Sequence, residues 1–593
     1  MGFSYIKDWL PIFIPLMNII IGSISFFSLI GLGRFLMNIF KIKILEPWDL
    51  SCQIILGVFS LSLLNQTLAI LRINTYYIYI SVLFLLFLFG ITEIKKLRFK
   101  RLNIERRKFI PLVILLIIFI VRVLLSIIPS TKIDELAYHM LIPMRIFEDQ
   151  GLFYYNFPWE GAIWPHMHYQ FIGPPFYSIG YPDSLNIITL GIFISIIYIS
   201  AFLIFKKNRN IELSLWASVL ISSGLYSAVD LTTNASNAFL MIASICSLLI
   251  LCKPSDYIPS FELRSFSIYF SLLVLAICGS KISMVPIAIV LVMFYFKLVI
   301  DYWSFKELKK AILYISIPFL VFYLPLLIYT WIQSGSPFGP MLASVFSGKE
   351  AIYDPLLKSY SGELGYQGNL KEIIFFLLTK WSPLIWISWL IIPNKKINLR
   401  AKLTFLFIIL IQFFIIWFIL PDKPRHFGGF QYCALIICFI DIFPHFYYKL
   451  KNFLIIIFLF MSLPWVGLDI YYSFPLIYKA FFKTEIFKKD YIPFYEDFSK
   501  IDNLIEKDAQ ILVKGTRLNA FHSPRKLFMS ELDIRDKKLP TYLFLVGINP
   551  NSLMKNFTLS PVLYQNSEAS RYCYRTPGKS CLKDKVSLYK INF

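Results

Sequence analysis

The sequence predicts an all-α polytopic membrane domain followed by a small α/β domain at the C-terminus. Of its 593 residues, 57% are hydrophobic and 16% charged, and the mean hydropathy is +0.65. Apolar runs such as 187–205 and 403–420 are long enough to cross a bilayer as helices. This composition excludes a soluble multidomain enzyme, a disordered chain, a collagen and a disulfide scaffold. An outer-membrane barrel is disfavoured because its strands would alternate apolar and polar residues.

The apolar runs predict about 14 spans, each near the length that a helix needs to cross the hydrocarbon core. They lie near 9–33, 50–71, 75–92, 109–129, 184–205, 212–229, 233–252, 265–280, 282–300, 311–332, 371–392, 402–420, 428–443 and 452–473.

Basic residues alternate between the loops and so predict the orientation. Residues 93–108 hold eight Lys and Arg, and 206–209, 306–310 and 395–402 repeat this signal in every second loop. Excess Lys and Arg mark cytoplasmic loops. The net charge of +22 is explained in this way, so no nucleic-acid partner is expected. Both termini are predicted to lie outside the cytoplasm.

Three segments on the predicted outer side are long: 130–183, 333–370 and the tail 474–593. The domain organisation expected from this is an N-terminal set of additional helices at 1–108, a membrane core at 109–473, and the extracytoplasmic tail. The location implied is a plasma membrane, the inner one in a bacterium.

The tail is richer in charged residues than the apolar runs before it, with 20 Lys and Arg and 12 Asp and Glu. This composition predicts a small folded domain. Residues 494–507 predict a helix whose apolar face includes Leu504. Strands are predicted at 509–514, 542–546, 557–563 and 586–591.

Cysteine usage fits this topology. Six cysteines lie in or near spans, where they are expected to fill the core. Cys573 and Cys581 lie in the tail, where an outer compartment permits a disulfide. Two surface thiols are the alternative.

Two adjacent carboxylates, Asp134 and Glu135, follow the fourth predicted span, with His139 four residues further on. Such a pair suits a general base or a cation site. The plainer interpretation is a helix N-terminus, which favours acidic residues.

The rest of this loop is rich in aromatic residues and Pro. Aromatic faces suit sugar rings, but an interfacial aromatic belt has the same composition. His166 and His168 are possible metal ligands, although no third ligand stands nearby in the sequence.

Further ionisable residues are predicted at the outer ends of spans. Asp230 follows the sixth span, Lys281 the eighth, and Arg425 lies in a short outer loop. Lys and Arg bind anions at such clusters, and Arg holds phosphate in a planar fork. Snorkelling to lipid headgroups is the alternative.

These features together resemble the GT-C class of integral-membrane glycosyltransferases, near the protein mannosyltransferase and aminoarabinose transferase relatives that use polyprenyl-phosphate sugars. Four features carry the resemblance: Asp134-Glu135 opening a long outer loop, Asp230 at the end of a later span, the Lys-containing segment 279–286 that ends in Pro, and the Gly-x-Pro-x-x-Pro pattern in 332–340. One departure is that three spans precede the acidic loop, and the sequence assigns them no role.

The resemblance implies transfer of a sugar from a polyprenyl-phosphate donor, with inversion, to a glycan, lipid or protein acceptor in cell-envelope polysaccharide biosynthesis. Asp134 and Glu135 would be catalytic, with Asp134 the expected base. Lys281 and Arg425 would bind the donor phosphate. Asp230, His139, His166 and His168 would position the acceptor or a metal, and a divalent metal requirement stays open. The alternatives are a transporter or flippase of lipid-linked saccharides, and a non-catalytic scaffold that binds through the tail.

Overall fold

The computed structural model describes residues 2–96, 109–131, 139–152, 168–223, 236–281, 284–334, 428–514, 523–528, 541–548, 558–572 and 582–592, with residue 337 and a few positions between 402 and 410. Within these ranges the chain is mostly helical, and one sheet follows at the C-terminal end.

The described helices vary in length from four to 40 residues. They are α1 (Gly2–Lys7), α2 (Phe13–Ile39), α3 (Trp48–Ile70), α4 (Tyr76–Lys96), α5 (Phe109–Ile127), α6 (Leu141–Glu148), α7 (Pro174–Ser178), α8 (Ser184–Asn208), α9 (Ile211–Ser222), α10 (Asn237–Cys252), α11 (Pro254–Tyr257), α12 (Leu263–Cys278), α13 (Val285–Tyr302), α14 (Leu308–Pro318), α15 (Leu324–Ser334), α16 (Gly428–Asp441), α17 (Phe443–Phe482), α18 (Thr484–Tyr491) and α19 (Tyr495–Asp502). A π-turn, Phe319–Tyr323, joins α14 to α15, and His168–Ile172 forms a 3-10 helix before α7.

Multi-pass helical character is confirmed. In the described part of the chain, eight helical segments are long and apolar enough to cross a bilayer. A bent pair, 237–252 with 254–260, adds a ninth candidate, and three shorter helices are also apolar. The predicted spans 371–392 and 402–420 lie wholly or largely outside the described residues, so the predicted number of spans is not confirmed.

Helix α2 crosses α3 at very short range because glycines stand at the contact. A Cβ atom on Gly33 would lie 1.9 Å from the carbonyl oxygen of Gln53, and one on Gly57 would lie 2.1 Å from that of Leu29. No side chain fits at such distances, so small residues set the approach of the two backbones. The first two long helices therefore form one packed unit.

Ion pairs gather at one end of the bundle, here named the basic end. They join helices that are distant in the chain, namely Arg34–Glu93 (2.5 Å), Lys253–Asp441 (2.8 Å) and Lys451–Glu212 (2.6 Å). These residues lie at the span ends that the charge pattern predicts to face the cytoplasm.

A further ion pair is buried inside the membrane domain. Nη1 of Arg122 lies 3.2 and 3.1 Å from the two carboxylate oxygens of Asp469, and its Nη2 donates to the carbonyl oxygen of Ser222 at 3.3 Å. Arg122 is 1% exposed. Because charges in a bilayer are costly unless paired, this contact ties α5 to α9 and α17.

Among the described residues, the sheet of the tail has six strands: β1 (Gln510–Lys514), β2 (Lys526–Phe528), β3 (Tyr542–Val546), β4 (Thr558–Leu559), β5 (Tyr564–Tyr572) and β6 (Leu582–Asn592). The order runs β2-β1-β3-β6, and β4 and β5 also pair with β6. Strand β1 is parallel to both neighbours, whereas β6 is antiparallel to all of its partners.

The predicted strands 509–514, 542–546 and 586–591 are confirmed as β1, β3 and β6. The predicted strand 557–563 is confirmed only at Thr558–Leu559, although the N–H groups of Ser560 and Leu563 also donate to carbonyl oxygens of β6, and β5 begins at Tyr564. Strand β5 has the polar sequence YQNSEASRY, which lacks an apolar alternation. Its pairing with β6 holds it in the sheet.

The helix predicted at 494–507 is too long, since α19 ends at Asp502. Leu504, predicted on its apolar face, is 52% exposed. The guanidinium of Arg525 donates to the carbonyl oxygens of Asp502 and Ile505, at 3.2 and 3.0 Å. These bonds satisfy carbonyls at the helix end and so stabilise its termination.

Asp497 fastens α19 to β5. Its Oδ1 accepts hydrogen bonds from the Tyr564 hydroxyl and the Asn566 amide, each at 2.8 Å. Burial raises the pKa of the Asp497 carboxyl despite these bonds. The carboxyl therefore contributes most to the free energy of unfolding at a pH below the ordinary pKa of Asp. This contribution is lost as the pH rises through the raised pKa of Asp497.

The tail packs on the start of the chain at the opposite end of the bundle, here named the sheet end. Nζ of Lys488 donates to the carbonyl oxygen of Lys7 at 2.9 Å, and the rings of Trp9 and Phe487 lie 6.4 Å apart. The tail was predicted to begin at 474, but helix α17 continues to Phe482.

Candidate functional site

The long loop after α5 is packed into the bundle at the sheet end. Nδ2 of Asn74 donates to the carbonyl oxygen of Ile146 at 2.6 Å, and Nδ2 of Asn65 donates to that of Phe171 at 2.7 Å. Both asparagines are fully buried. Since buried carbonyl groups need partners, the loop depends on α3 and the turn after it.

His168 occupies a buried position in this loop. Its ring lies between Phe59, with centroids 5.3 Å apart, and Tyr323, with centroids 5.1 Å apart. Its Nδ1 lies 3.3 Å from Nε2 of Gln66, which also donates to Oγ of Ser62 at 2.8 Å. Helix α3 therefore supplies polar contacts of this imidazole and one of these two ring contacts.

The loop meets the turn that follows α12. The backbone N–H of His168 donates to the carbonyl oxygen of Gly279 at 3.0 Å. A Cβ atom on Gly279 would lie only 3.0 Å from Cδ2 of His168. Lys281, which is half-buried, stands two residues after this contact. The structure thus brings two of the predicted site residues, His168 and Lys281, into neighbouring segments.

A third connection reaches the same turn. Oγ of Ser236 donates to the carbonyl oxygen of Ser280 at 3.0 Å. Within the turn, the N–H of Met284 donates to the carbonyl oxygen of Lys281 at 3.1 Å. Ser236 directly precedes α10 and follows Asp230 by six residues in the sequence. Ser62, Gln66, His168, Ser236 and residues 279–281 are here named the His168 cluster.

His139 lies at the start of the described part of the loop and is 1% exposed. Its Nδ1 is in hydrogen-bond contact with the side-chain amide of Gln170, which is buried as well. Among the described residues, no three His, Cys, Asp or Glu side chains stand close enough to hold a metal ion. The divalent metal stays an open prediction.

Several predicted site residues lie outside the described residues: Asp134, Glu135, His166, Asp230, Arg425, Cys573 and Cys581. Tyr572 and Leu582 directly flank the two cysteines and are partners in the β5–β6 pairing. The disulfide stays a prediction. The six other cysteines are in thiol form, and all but Cys278 are buried, as their location in spans predicts.

The sequence did not point to the polar residues of α3. Ser62, Asn65 and Gln66 are spaced three and four residues apart and so share one helix face. That spacing inside an apolar run was the available signal, because polar side chains in a span face protein partners. The second predicted span, which had no assigned role, thus contributes to the cluster.

The fold defines an integral multi-pass membrane protein built from helical spans. No protein-family model matches the chain, and no curated protein matches it either.

Proposed function

We propose that this chain is a glycosyltransferase of the GT-C class that moves a sugar from a polyprenyl-phosphate donor to an acceptor. The observation that carries the proposal is the bond between His168 N–H and the Gly279 carbonyl oxygen, at 3.0 Å. It joins the loop that opens with Asp134-Glu135 to the segment that carries Lys281. These are two of the four features by which the sequence resembles that class.

The proposed reaction is a single displacement. An acceptor hydroxyl oxygen attacks the anomeric carbon, its proton passes to Asp134, and the bond from that carbon to the donor phosphate oxygen breaks. Polyprenyl phosphate leaves with the electron pair, and the anomeric centre is inverted. Lys281 and Arg425 stabilise the charge that develops on the phosphate. Glu135, Asp230, His139 and His166 position the acceptor or a cation.

The proposal places the sheet end of the bundle outside the cytoplasm, where lipid-linked sugars replace nucleotide sugars as donors. We expect an impermeant thiol reagent to label a cysteine introduced at Ser567, an exposed residue of β5, in intact cells. A cysteine at Arg101, in the basic segment 93–108, should be labelled only after permeabilisation. Cys573 and Cys581 are replaced by serine in both variants. The reverse pattern would contradict the assigned orientation.

A transporter or flippase of lipid-linked saccharides is the second candidate, and the buried Arg122–Asp469 pair favours it, because ionisable groups inside spans often mark transport paths. Two measurements on the purified chain separate the candidates. A transferase releases polyprenyl phosphate from radiolabelled polyprenyl-phosphate sugars mixed with a cell-envelope extract. A flippase instead moves the labelled lipid across proteoliposomes without breaking it, and that result would reject the transferase.

Replacing Gly279 by alanine tests the contact that carries the proposal. The backbone is helical there, with φ of −72°, so the added methyl causes no backbone strain. It would instead crowd Cδ2 of His168 and the carbonyl oxygen of Leu275, each at 3.0 Å. We expect transfer to fall roughly 10-fold, since a displacement of about 1 Å costs roughly 100-fold and this one is smaller. Gly467→Ala is the matched control, because its Cβ would meet nothing within 4 Å. Normal transfer by a folded Gly279→Ala variant would mean that the His168 cluster is not part of the active site.

A further inference from the structure

We propose that Gln66 is a positioning residue that holds His168 as a neutral imidazole with its proton on Nε2. The catalytic consequence of this inference rests on the proposed transferase function, but the protonation state itself does not. The inference gives a role to α3, a helix from the part of the chain to which the sequence assigned none.

The hydrogen bonds around Nδ1 of His168 determine which ring nitrogen carries the proton. The Gln66 amide carries two N–H donors. One N–H of the Gln66 amide donates to Oγ of Ser62 at 2.8 Å. The same amide nitrogen, Nε2 of Gln66, also lies 3.3 Å from Nδ1 of His168. An amide N–H that faces a ring nitrogen requires a lone pair on that nitrogen. In a neutral imidazole, the proton then sits on the other nitrogen, Nε2.

Ser62 supports the same assignment. Its Oγ accepts from Gln66 and lies 3.5 Å from Nδ1, so its own hydrogen is available on the side of the imidazole. An imidazolium would direct an N–H of Nδ1 at the Gln66 amide group. Two facing donors repel each other, and all three side chains are buried away from water.

The opposite edge of the ring faces the Lys281 segment. Cδ2, which is bonded to Nε2, is the His168 atom that approaches the Cβ position of Gly279, at 3.0 Å. Phe59 and Tyr323 lie against the ring and hinder its rotation. Cδ2, the ring carbon next to the Nε2–H donor, therefore meets the turn that precedes Lys281, and Cβ of His168 lies 3.5 Å from the same position.

This arrangement suits a phosphate-binding turn. A neutral imidazole adds a hydrogen-bond donor near Lys281 without adding a second positive charge, which would be costly in a buried site. Gln66 acts through His168 and does not itself need to reach the donor.

The test is the ¹⁵N NMR spectrum of the full chain, labelled at its histidines and reconstituted in bilayers. The His168 signals are those lost in His168→Gln. We expect the wild type to carry a single ring proton, on Nε2. In Gln66→Glu, the carboxylate would accept a hydrogen bond and draw a proton to Nδ1. A wild-type spectrum with the proton on Nδ1 would overturn the proposal, whether or not Gln66→Glu folds.

Transfer assays on the same variants test the catalytic consequence. We expect Gln66→Glu to lower kcat roughly 10- to 100-fold, the effect of losing one hydrogen bond to a charged group, with KM changed less. Thr67→Val is the control, because Thr67 is exposed on the same helix and its hydroxyl donates to the carbonyl oxygen of Leu63 within that helix. Unchanged kcat in a Gln66→Glu variant whose proton has moved would reject the positioning role. A wild type with the expected proton but no transfer would reject the transferase instead.

Discussion

Replacing Asp134 by asparagine should lower sugar transfer roughly 100-fold or more, the usual effect of removing a general base. The side chain keeps its shape but no longer accepts a proton from the acceptor hydroxyl. Asp134 belongs to the loop that His168 connects to the Lys281 segment, so the base and the leaving-group cation are expected on one side of the membrane. Release of polyprenyl phosphate from the radiolabelled donor measures the loss.

Glu135→Gln is the matched control, because it makes the same chemical change one residue further along the chain. We expect a smaller loss there if Glu135 only supports the acceptor. If Glu135→Gln is inactive and Asp134→Asn is normal, Glu135 is the general base and Asp134 supports the acceptor. Donor binding by both variants, measured with the labelled donor, should persist. Normal transfer in both would leave the pair as a helix-start feature and reject the catalytic assignment of this loop.

Breaking the buried pair between Arg122 and Asp469 should cause the largest loss of stability in the membrane domain. In Arg122→Gln the carboxyl of Asp469, which is 7% exposed, loses its charged partner. Breaking a buried pair in this way costs about 3–5 kcal/mol. The measurement is the temperature at which half of the detergent-purified chain leaves the monodisperse peak in size-exclusion chromatography.

Two controls separate pairing from a general effect of lost charge. Arg122→Met combined with Asp469→Leu removes both charges and should recover much of the stability, because apolar replacements of a buried pair are often neutral. Lys310→Gln breaks the exposed contact to Glu307 and should change little. An Arg122→Gln chain as stable as the wild type would mean that the pair does not hold α5 against α17.

The sequence predicted the helices of the membrane domain better than the strands of the tail. An apolar run of membrane length has few other structures available to it, so α2, α3, α4, α5 and α8 follow from hydropathy. Strand β5 does not, because its polar residues gain their extended form only from pairing with β6. Such pairing is a tertiary effect that overrides local preference.

The candidate site was likewise predicted only in part from the sequence. His168 and Lys281 were predicted because their residue types stand out at the ends of spans. Their connection through Gly279 was not predicted, since a backbone hydrogen bond between segments more than 100 residues apart leaves no local pattern. Gln66 and Asp469 were missed for a related reason: their roles are set by partners on other helices, His168 and Arg122.

The support that α3 and its following turn give to the long loop bears on the order in which the chain is made. Proteins are synthesised from the N-terminus, and early parts fold before later ones emerge. Asn65 and Asn74 are therefore synthesised before Ile146 and Phe171, to whose carbonyl oxygens they donate in the folded chain. The early helices thus offer hydrogen-bond donors to the loop as soon as it is translocated. A permuted chain that made these helices last would hold the same contacts, but its loop would wait unpaired until synthesis was complete.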